Sequence, residues 1–527
     1  MLKRCFTALL GLALVASAWA DPSYQEVKKR GDSALAKKDY GSAIRHFEKL
    51  IYLFPGRADA HNALGFACYL DGRYEKAILQ FKQALSFEAG HPAAQNNLLL
   101  AVGKLAVEQT KDLEFAEAIG LLAAHESLYP NQPQSLILRF SRGQLEFYRG
   151  NESAGLSVWQ SLANRVPSSG TARFMEAHKL YQSGKLKEAL AAMNLAVAKL
   201  PKEPVVRHYL ALILADLGKL KEAAAQLRKA QVGNPPYIDL YLRQAEVMLR
   251  SGQLEEAMAQ VVKARDLRPD FASVHLWMAA LHRHSGNADA ASKELGLAWG
   301  ESAPGTAGAV LITGEVGQRV WLDQKPVGAT PLGVFLTPGK HKLKFMAAGK
   351  PARLVDIEAS QDQILTLDLA QGSEPQASAL QSLLPSRAAA RSFALRDQNN
   401  RFWRSFQHFH RRPVLLMFWK VDDADNQATM NALSTLGARY PAEIGFAVIH
   451  TNMEKKNQAL SQMMTLPATY ARLFDDGSVA RRYGLTPEQM PTVLVVDLDG
   501  YIAAQGQGVA GVEEVQRALD AMMGRQP

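Results

Sequence analysis

A spacing of 34 residues constrains this chain more than any other feature of its sequence. Tyr40-Gly41-Ser42-Ala43-Ile44-Arg45-His46-Phe47 returns as Tyr74-Glu75-Lys76-Ala77-Ile78-Leu79-Gln80-Phe81. Gly184-Lys185-Leu186-Lys187-Glu188-Ala189 returns at 218–223 and 252–257, and more loosely from Gly286 to Ala291. Gly31 and Gly65 keep the offset, and Pro55, Pro201, Pro235 and Pro269 fall at repeat ends, where proline terminates a helix. Such self-similarity marks stacked helix pairs, none of which can bury its apolar face alone. Ala43, Ala77, Ala189, Ala223, Ala257 and Ala291 stand where the helices of a pair approach closely. Phe47, Phe81, Met193, Leu227, Val261 and Leu295, four residues on, fill the same face one turn later. Glycine before the second helix suits a tight turn. Between 93 and 170 the copies degenerate, with Ala118–Pro130 and Gly143–Pro167 reading as second halves. About eight repeats are expected over 23–300.

These motifs resemble the tetratricopeptide repeat family. The resemblance implies an all-α solenoid with a concave face that binds a peptide or protein segment. Transferring the repeat pattern places Asn62, Phe66, Tyr69, His178, Tyr181, His208, Asp216, Glu246 and Arg250 near that face as candidate partner-binding residues. The full lysine, asparagine and arginine set with which some members hold a carboxylate is not found here. Association of copies through the repeats stays open.

The N-terminus reads as an export signal. Lys3 and Arg4 precede an apolar run from Phe6 to Ala16, followed by Ser17-Ala18-Trp19-Ala20. This layout predicts cleavage after Ala20 and a periplasmic or exported protein. The run is shorter than the ~20 residues a spanning helix needs, and no later segment is long and apolar enough to span a membrane. The sequence holds two cysteines, Cys5 and Cys68, so removal of residues 1–20 leaves one, which cannot form an internal disulfide. Cys68 sits in a helical pattern and reads as a small buried hydrophobe. The formal charge of +9 comes from scattered lysines and arginines, which argues for a solvated surface and against nucleic acid.

After a linker at 301–307, short runs alternate with period two: 309–313, 318–322, 341–347, 352–359 and 363–369. Glycine and proline bound them, which predicts strands. Val327-Gly328-Ala329-Thr330-Pro331-Leu332 and Leu336-Thr337-Pro338-Gly339-Lys340-His341 read as punctuation and resemble the PEGA-type module of bacterial surface-associated proteins. The resemblance covers 308–370 and implies a small β-sandwich-like spacer or binding element.

A Gln-, Ser-, Ala- and Pro-rich stretch at 371–386 reads as a second linker. Beyond it, Val414–Trp419, Ile444–His450 and Val493–Val496 read as buried strands, and 426–440 and 512–523 as helices. Phe393–Asp397, the Phe418-Trp419 strand end, Met490-Pro491-Thr492 and the Asp497–Gly500 turn resemble the thioredoxin-like envelope disulfide oxidoreductases. The resemblance covers 387–525. It implies a Cys-x-x-Cys after Phe-Trp and a cis-proline at Pro491, preceded by Met490. By register Asp423 and Asn426 stand at the cysteine positions, so the redox pair is replaced, by a helix cap on this reading.

Neither the His282/His284 nor the His408/His410 pair has a third ligand of suitable type nearby, so no metal and no cofactor are expected. The expected architecture is multidomain: a signal at 1–20, a solenoid over 21–300, a β module over 308–370 and an α/β thioredoxin-like domain over 387–525. The function it implies is a non-enzymatic scaffold that binds a protein or peptide in the periplasm or envelope. A thiol–disulfide oxidoreductase or redox chaperone with an atypical site is the alternative.

Overall fold

The computed structural model describes residues 22–111, 115–130, 132–300, 308–347, 350–372, 374–379, 387–399, 401–409 and 412–525. The expected signal at 1–20, the linker at 301–307 and His410 lie outside them. Among the described residues no helix is long and apolar enough to cross a membrane.

From Pro22 to Gly300 the chain forms sixteen helices among the described residues, in eight pairs. The first helices are α1 (Pro22–Ala36), α3 (Ala58–Leu70), α5 (Pro92–Lys111), α7 (Pro133–Arg149), α9 (Gly170–Gln182), α11 (Pro204–Asp216), α13 (Ile238–Arg250) and α15 (Ala272–His284). Their partners are α2 (Tyr40–Leu53), α4 (Tyr74–Phe87), α6 (Phe115–Glu126), α8 (Glu152–Arg165), α10 (Leu186–Lys199), α12 (Leu220–Ala230), α14 (Leu254–Leu267) and α16 (Ala288–Gly300). The segment 143–149, expected in a second half, instead completes α7. Gly143 faces the Trp159 ring of α8, which fixes it on the first helix of its pair.

That contact is the repeat's packing rule. A Cβ on Gly31, Gly65 or Gly143 would come within 2.5, 2.6 or 2.2 Å of Phe47, Phe81 or Trp159 respectively. The aromatic ring sixteen residues on fills the space a side chain would take. Each ring is fully buried, and burying one contributes about 2–3 kcal/mol. The turns between paired helices place Gly72, Gly150, Gly184, Gly218, Gly252 and Gly286 at φ between 73° and 90°, where a side chain is strained. Asp39, Asn151 and Ser169 cap α2, α8 and α9 by accepting from Ser42, Ala154 and Ala172 N–H groups at 3.0–3.2 Å, worth about 1 kcal/mol each. The turns between pairs are pinned by a side chain six residues on: His61, Arg207 and His275 reach the carbonyls of Pro55, Pro201 and Pro269 at 2.7–3.0 Å.

The chain divides into two compact units, one of residues up to 213 with 235–237, the other of 214–234 with the rest from 238. The second unit carries two β-rich regions. The strands of the first are β1 (Gly308–Thr313), β2 (Arg319–Leu322), β3 (Lys325–Ala329), β4 (Leu332–Leu336), β5 (Gly339–Met346), β6 (Arg353–Ala359), β7 (Gln363–Asp368) and β8 (Gln376–Ala379). They form two four-stranded sheets, β4-β1-β7-β8 and β3-β2-β5-β6. The end of β3 and the start of β5 fall in the runs that read as punctuation, β4 links those runs, and β8 lies inside the expected linker. Its exposed Gln-Ala-Ser-Ala has no apolar alternation, and it is a strand because β7 supplies its hydrogen bonds. β1 is buried at every position because helices cover it. Ala309 and Leu311 pack with Ile364 against Leu276, Ala279 and Ala280 of α15 and Leu295 and Ala298 of α16.

The last region is built on a seven-stranded sheet of order β10-β9-β13-β12-β11-β14-β15. Its strands are β9 (Ala394–Asp397), β10 (Phe402–Arg404), β11 (Val414–Trp419), β12 (Gly445–His450), β13 (Ala471–Phe474), β14 (Thr492–Val496) and β15 (Ile502–Gln507). Helices α17 (Asn426–Arg439), α18 (Lys456–Met463), α19 (Ser478–Arg482) and α20 (Gly508–Met522) accompany it. β11 runs parallel to β12 and antiparallel to β14, which pairs antiparallel with β15. A βαβ unit followed by a ββα unit is the topology of thioredoxin-like folds. Leu415, Met417 and Trp419 face one core, and Val414, Leu416 and Phe418 the other.

Tyr501 joins this sheet to the last repeat helix. Its hydroxyl donates to the Lys293 carbonyl at 2.5 Å, and Gly296 leaves room for it, since a Cβ there would lie 2.3 Å from the hydroxyl oxygen. Lys293 Nζ also meets Asp499 at 2.7 Å. Tyr501→Phe is expected to lower the stability of the second unit by about 1 kcal/mol, the value of one such hydrogen bond. A urea titration followed by tryptophan fluorescence checks it.

Candidate partner-binding face

The nine residues expected on one binding face fall into three environments. On α3, Asn62 is partly exposed and its Oδ1 accepts from Asn97 Nδ2 of α5 at 3.1 Å. Phe66 is 36% exposed and stacks with Tyr69, ring centres 6.2 Å apart, and Leu70 beside them is 37% exposed. Tyr69 in turn leans on Tyr74. This pattern of apolar and amide groups, open to solvent, can contact another chain.

His178 and His208 are different. They are 7% and 5% exposed and belong to an aromatic core. His178 packs on Phe174 and Tyr209, and His208 on Tyr209 and Tyr237. Burial holds the His178 imidazole below its usual pKa, so it is neutral near pH 7. Tyr181 remains partly exposed. Two further contacts bring separated repeats together: Gln144 Nε2 of α7 donates to Glu203 at 2.7 Å, and Tyr148 stacks on Tyr237. Here the large side chains of the first helices pack on each other, so the two histidines do not offer a contact surface.

Asp216, Glu246 and Arg250 are also withdrawn from any outside partner. Arg319 of β2 pairs with Asp216 and lies 3.9 Å from Glu246, which also pairs with Arg243 and sits 3.8 Å from Arg250. The Glu246 side chain is 2% exposed and the Arg319 side chain 12%. The Arg319 guanidinium stacks over Trp321 at 4.7 Å. Three glycines let the β module seat so closely. A Cβ on Gly317, Gly328 or Gly333 would come within 2.6, 2.7 or 2.5 Å of the Leu249 carbonyl, the Trp277 ring or the Leu276 carbonyl. The partner of this stretch is the chain's own β module. Sequence reasoning missed Arg319, Trp277 and Leu276, and the only available signal was the string of glycines after residue 316.

In the last region Asp423 lies between β11 and α17, and Asn426 is the first residue of α17. Asp423 does not cap the helix. Its Oδ1 accepts from the Asp425 N–H at 3.1 Å, closing a local turn, while the N-cap residue is Asp425, whose side chain makes no capping bond. Asn426 opens α17, is 4% exposed, and donates from Nδ2 to the Lys420 carbonyl at 2.5 Å. The side-chain amide thus ties the helix start to the strand end. The Met490–Pro491 bond is cis, and the Pro491 carbonyl accepts from the Gly508 N–H at 2.9 Å. Thr451 Oγ1 lies 3.2 Å from the Trp419 carbonyl and 3.7 Å from Met490 Sδ. None of these groups is a nucleophile with an adjacent base. Cys68, the cysteine among the described residues, is fully buried on α3, and burial pushes its thiol up, away from the reactive thiolate. Among the described residues no three His, Cys, Asp or Glu side chains converge as metal ligands.

A tetratricopeptide repeat family model matches residues 28–95 and 174–238. A search of curated proteins returned no match. Among solved structures, a tetratricopeptide repeat protein from Parabacteroides merdae is 19% identical over 47% of this chain and 94% of its own, with a TM-score of 0.32. A putative thiol:disulfide interchange protein DsbE from Chlorobium tepidum is 22% identical over 26% of this chain and 97% of its own, TM-score 0.24. A DsbF homologue from Corynebacterium diphtheriae is 16% identical over 26% and 87%, TM-score 0.24. The chain therefore carries tetratricopeptide repeats in its helical N-terminal part, followed by a sheet-rich C-terminal part that resembles thioredoxin-like folds.

Proposed function

We propose that the protein is a non-enzymatic interaction protein of the periplasm or cell envelope, which holds a protein partner on the first helices of its N-terminal repeats. One observation carries this reading: Phe66 and Leu70 are exposed and Asn62 and Tyr69 partly so, whereas His178, His208, Asp216 and Glu246 on later repeats are covered by the chain's own side chains. The charged start, apolar run and Ala18-Trp19-Ala20 ending support export. The β module acts as a fixed fitting on the last repeats, and the thioredoxin-like region as a scaffold whose thiol positions hold Asp423 and Asn426. The rival reading, a disulfide oxidoreductase, would have to work through the buried Cys68 alone.

Two experiments test this. Affinity capture from an envelope extract with the full chain should recover a partner that the Phe66→Ala, Tyr69→Ala double variant loses at least about tenfold, a loss typical of interface anchors. Equal recovery by both sinks the assignment of the face. Insulin reduction by the purified chain should stay at the uncatalysed rate. Turnover abolished by Cys68→Ser would establish the enzyme reading instead.

A further inference from the structure

We infer that β6 is a docking edge, on which an extended strand of another protein, with two basic side chains on one face, adds to the four-stranded sheet β3-β2-β5-β6. This surface is separate from the repeat face. A sheet ends in two edge strands, whose outer N–H and C=O groups can pair with a further chain. The three sheets have six such edges, and among the described residues five are blunted. β3 contains Pro326 and abuts Trp277 through Gly328. β4 lies on α15, with Gly333 against the Leu276 carbonyl. β8 and β10 have four and three residues. The β14–β15 pairing carries a bulge at Val495–Val496, and Ile502, at the start of β15, donates to the Ala388 carbonyl at 2.9 Å. β6 has seven residues, without proline, glycine or bulge.

Which backbone groups of β6 point outward follows from β5. The Asp323 N–H, just beyond β2, donates to the Lys342 carbonyl at 2.9 Å, so Lys342 turns its backbone toward β2. In an antiparallel sheet alternate residues of a strand bond to alternate neighbours. His341 and Leu343 therefore face β6 and bond their register partners Ile357 and Val355. That leaves the N–H and C=O groups of Leu354, Asp356 and Glu358 aimed off the sheet. The side chains of the same three residues are exposed, Leu354 to 61% and Asp356 to 82%.

Charge selects the occupant. Antiparallel pairing of β6 with a second copy of itself would set the acids against one another, which is unfavourable. A strand with lysine or arginine opposite Asp356 and Glu358 and an apolar residue opposite Leu354 gains instead. On the other side these acids already face β5, with Lys342 Nζ 3.6 Å from Asp356 and Lys340 in register with Glu358. An added basic row would stand two strand spacings from the β5 lysines, about 10 Å. That exceeds the screening length of about 8 Å at physiological salt, so the lysines do not repel it strongly.

Two capped peptides of seven residues test this on the purified full chain. One carries lysine at its second and fourth positions, valine at its sixth and threonine elsewhere, and the other replaces lysine by glutamate. The lysine peptide should slow hydrogen exchange within 353–359 and bind at least about tenfold more tightly than its twin. Its affinity should fall between about 0.05 and 0.5 M salt. The Asp356→Lys, Glu358→Lys double variant should reverse the preference. Leu354→Pro should weaken binding of the lysine peptide several-fold, because it deletes an outward N–H and no bond to β5. Circular dichroism shows whether the variants fold, and the charge-reversed chain reads a gain of glutamate binding that an unfolded chain cannot give. The Phe66→Ala, Tyr69→Ala chain should bind the lysine peptide as wild type does. Equal binding of the two peptides, protection elsewhere than 353–359, or no protection at all overturns the inference and leaves Asp356 and Glu358 as a guard against self-pairing.

Discussion

Glu203→Gln is expected to stabilise the N-terminal unit by about 3 kcal/mol at pH 8 and to leave it nearly unchanged at pH 4. Glu203 sits in the turn before α11 and is 6% exposed. Its carboxyl accepts from the Val205 N–H at 3.1 Å and from Gln144 Nε2 at 2.7 Å. These two bonds favour the ionised form, but burial outweighs them and the pKa is pushed up to about 7, against 4.5 in the unfolded chain. The sign follows from proton counting. Below the unfolded value both states hold the proton, and the site costs nothing. As pH rises from about 4.5 to 7 the unfolded chain releases its proton first, so folding loses free energy throughout that window. Above the folded pKa the loss is constant, and a shift of this size corresponds to about 3 kcal/mol. Glutamine keeps an acceptor for Val205 and a neutral partner for Gln144, and cannot ionise. Urea denaturation of both proteins from pH 4 to 8 checks this, and their difference cancels the titration of every other group. Parallel pH profiles for wild type and variant would show that Glu203 is not buried against Gln144.

Arg319→Ala is expected to weaken the seating of the β module by about 3 kcal/mol. The substitution removes the guanidinium that pairs with Asp216, while Glu246 keeps Arg243 and stays near Arg250. Largely buried carboxylates that lose a cation are costly because water cannot fully replace it. Hydrogen exchange should therefore speed up in β2 and in the last turns of α11 and α13. A double-mutant cycle with Asp216→Ala separates the pair from the packing of Gly328 on Trp277. A coupling near zero would show that apolar packing, of the glycine contacts and of β1 on the last helix pair, holds the module without the ion pair. Lysine at 319 should restore only part of the loss, because it loses the planar contact with Trp321 at 4.7 Å.

The repeats were legible because their periodicity is local. Gly65 and Phe81 are sixteen residues apart, and each pair needs the same small-to-large fit. The βαβ alternation after Val414 was legible because a strand buried on both faces must be apolar throughout, as 414–419 is. β8 was not legible, because an exposed edge strand shows no such bias. The candidate site was half legible. The repeat register placed nine residues on first helices, but it carries no information about what covers them. His178 and Glu246 occupy the repeat position that Phe66 holds, each following the small residue twelve before the alanine of the second helix, yet one lies in an aromatic core and the other under Arg319.

By itself the amino-acid sequence determined the helix pairs, the sheet-rich regions that follow them and the absence of cysteine after Phe418-Trp419. Those depend on spacing, side-chain size and residue identity within a few turns of chain. Only the tertiary structure decided which part of the repeat face stays open. That outcome rests on Arg319 meeting Asp216 across about a hundred residues of sequence and on glycines that let two backbones approach. Such long-range complementarity has no periodic trace for a sequence to display.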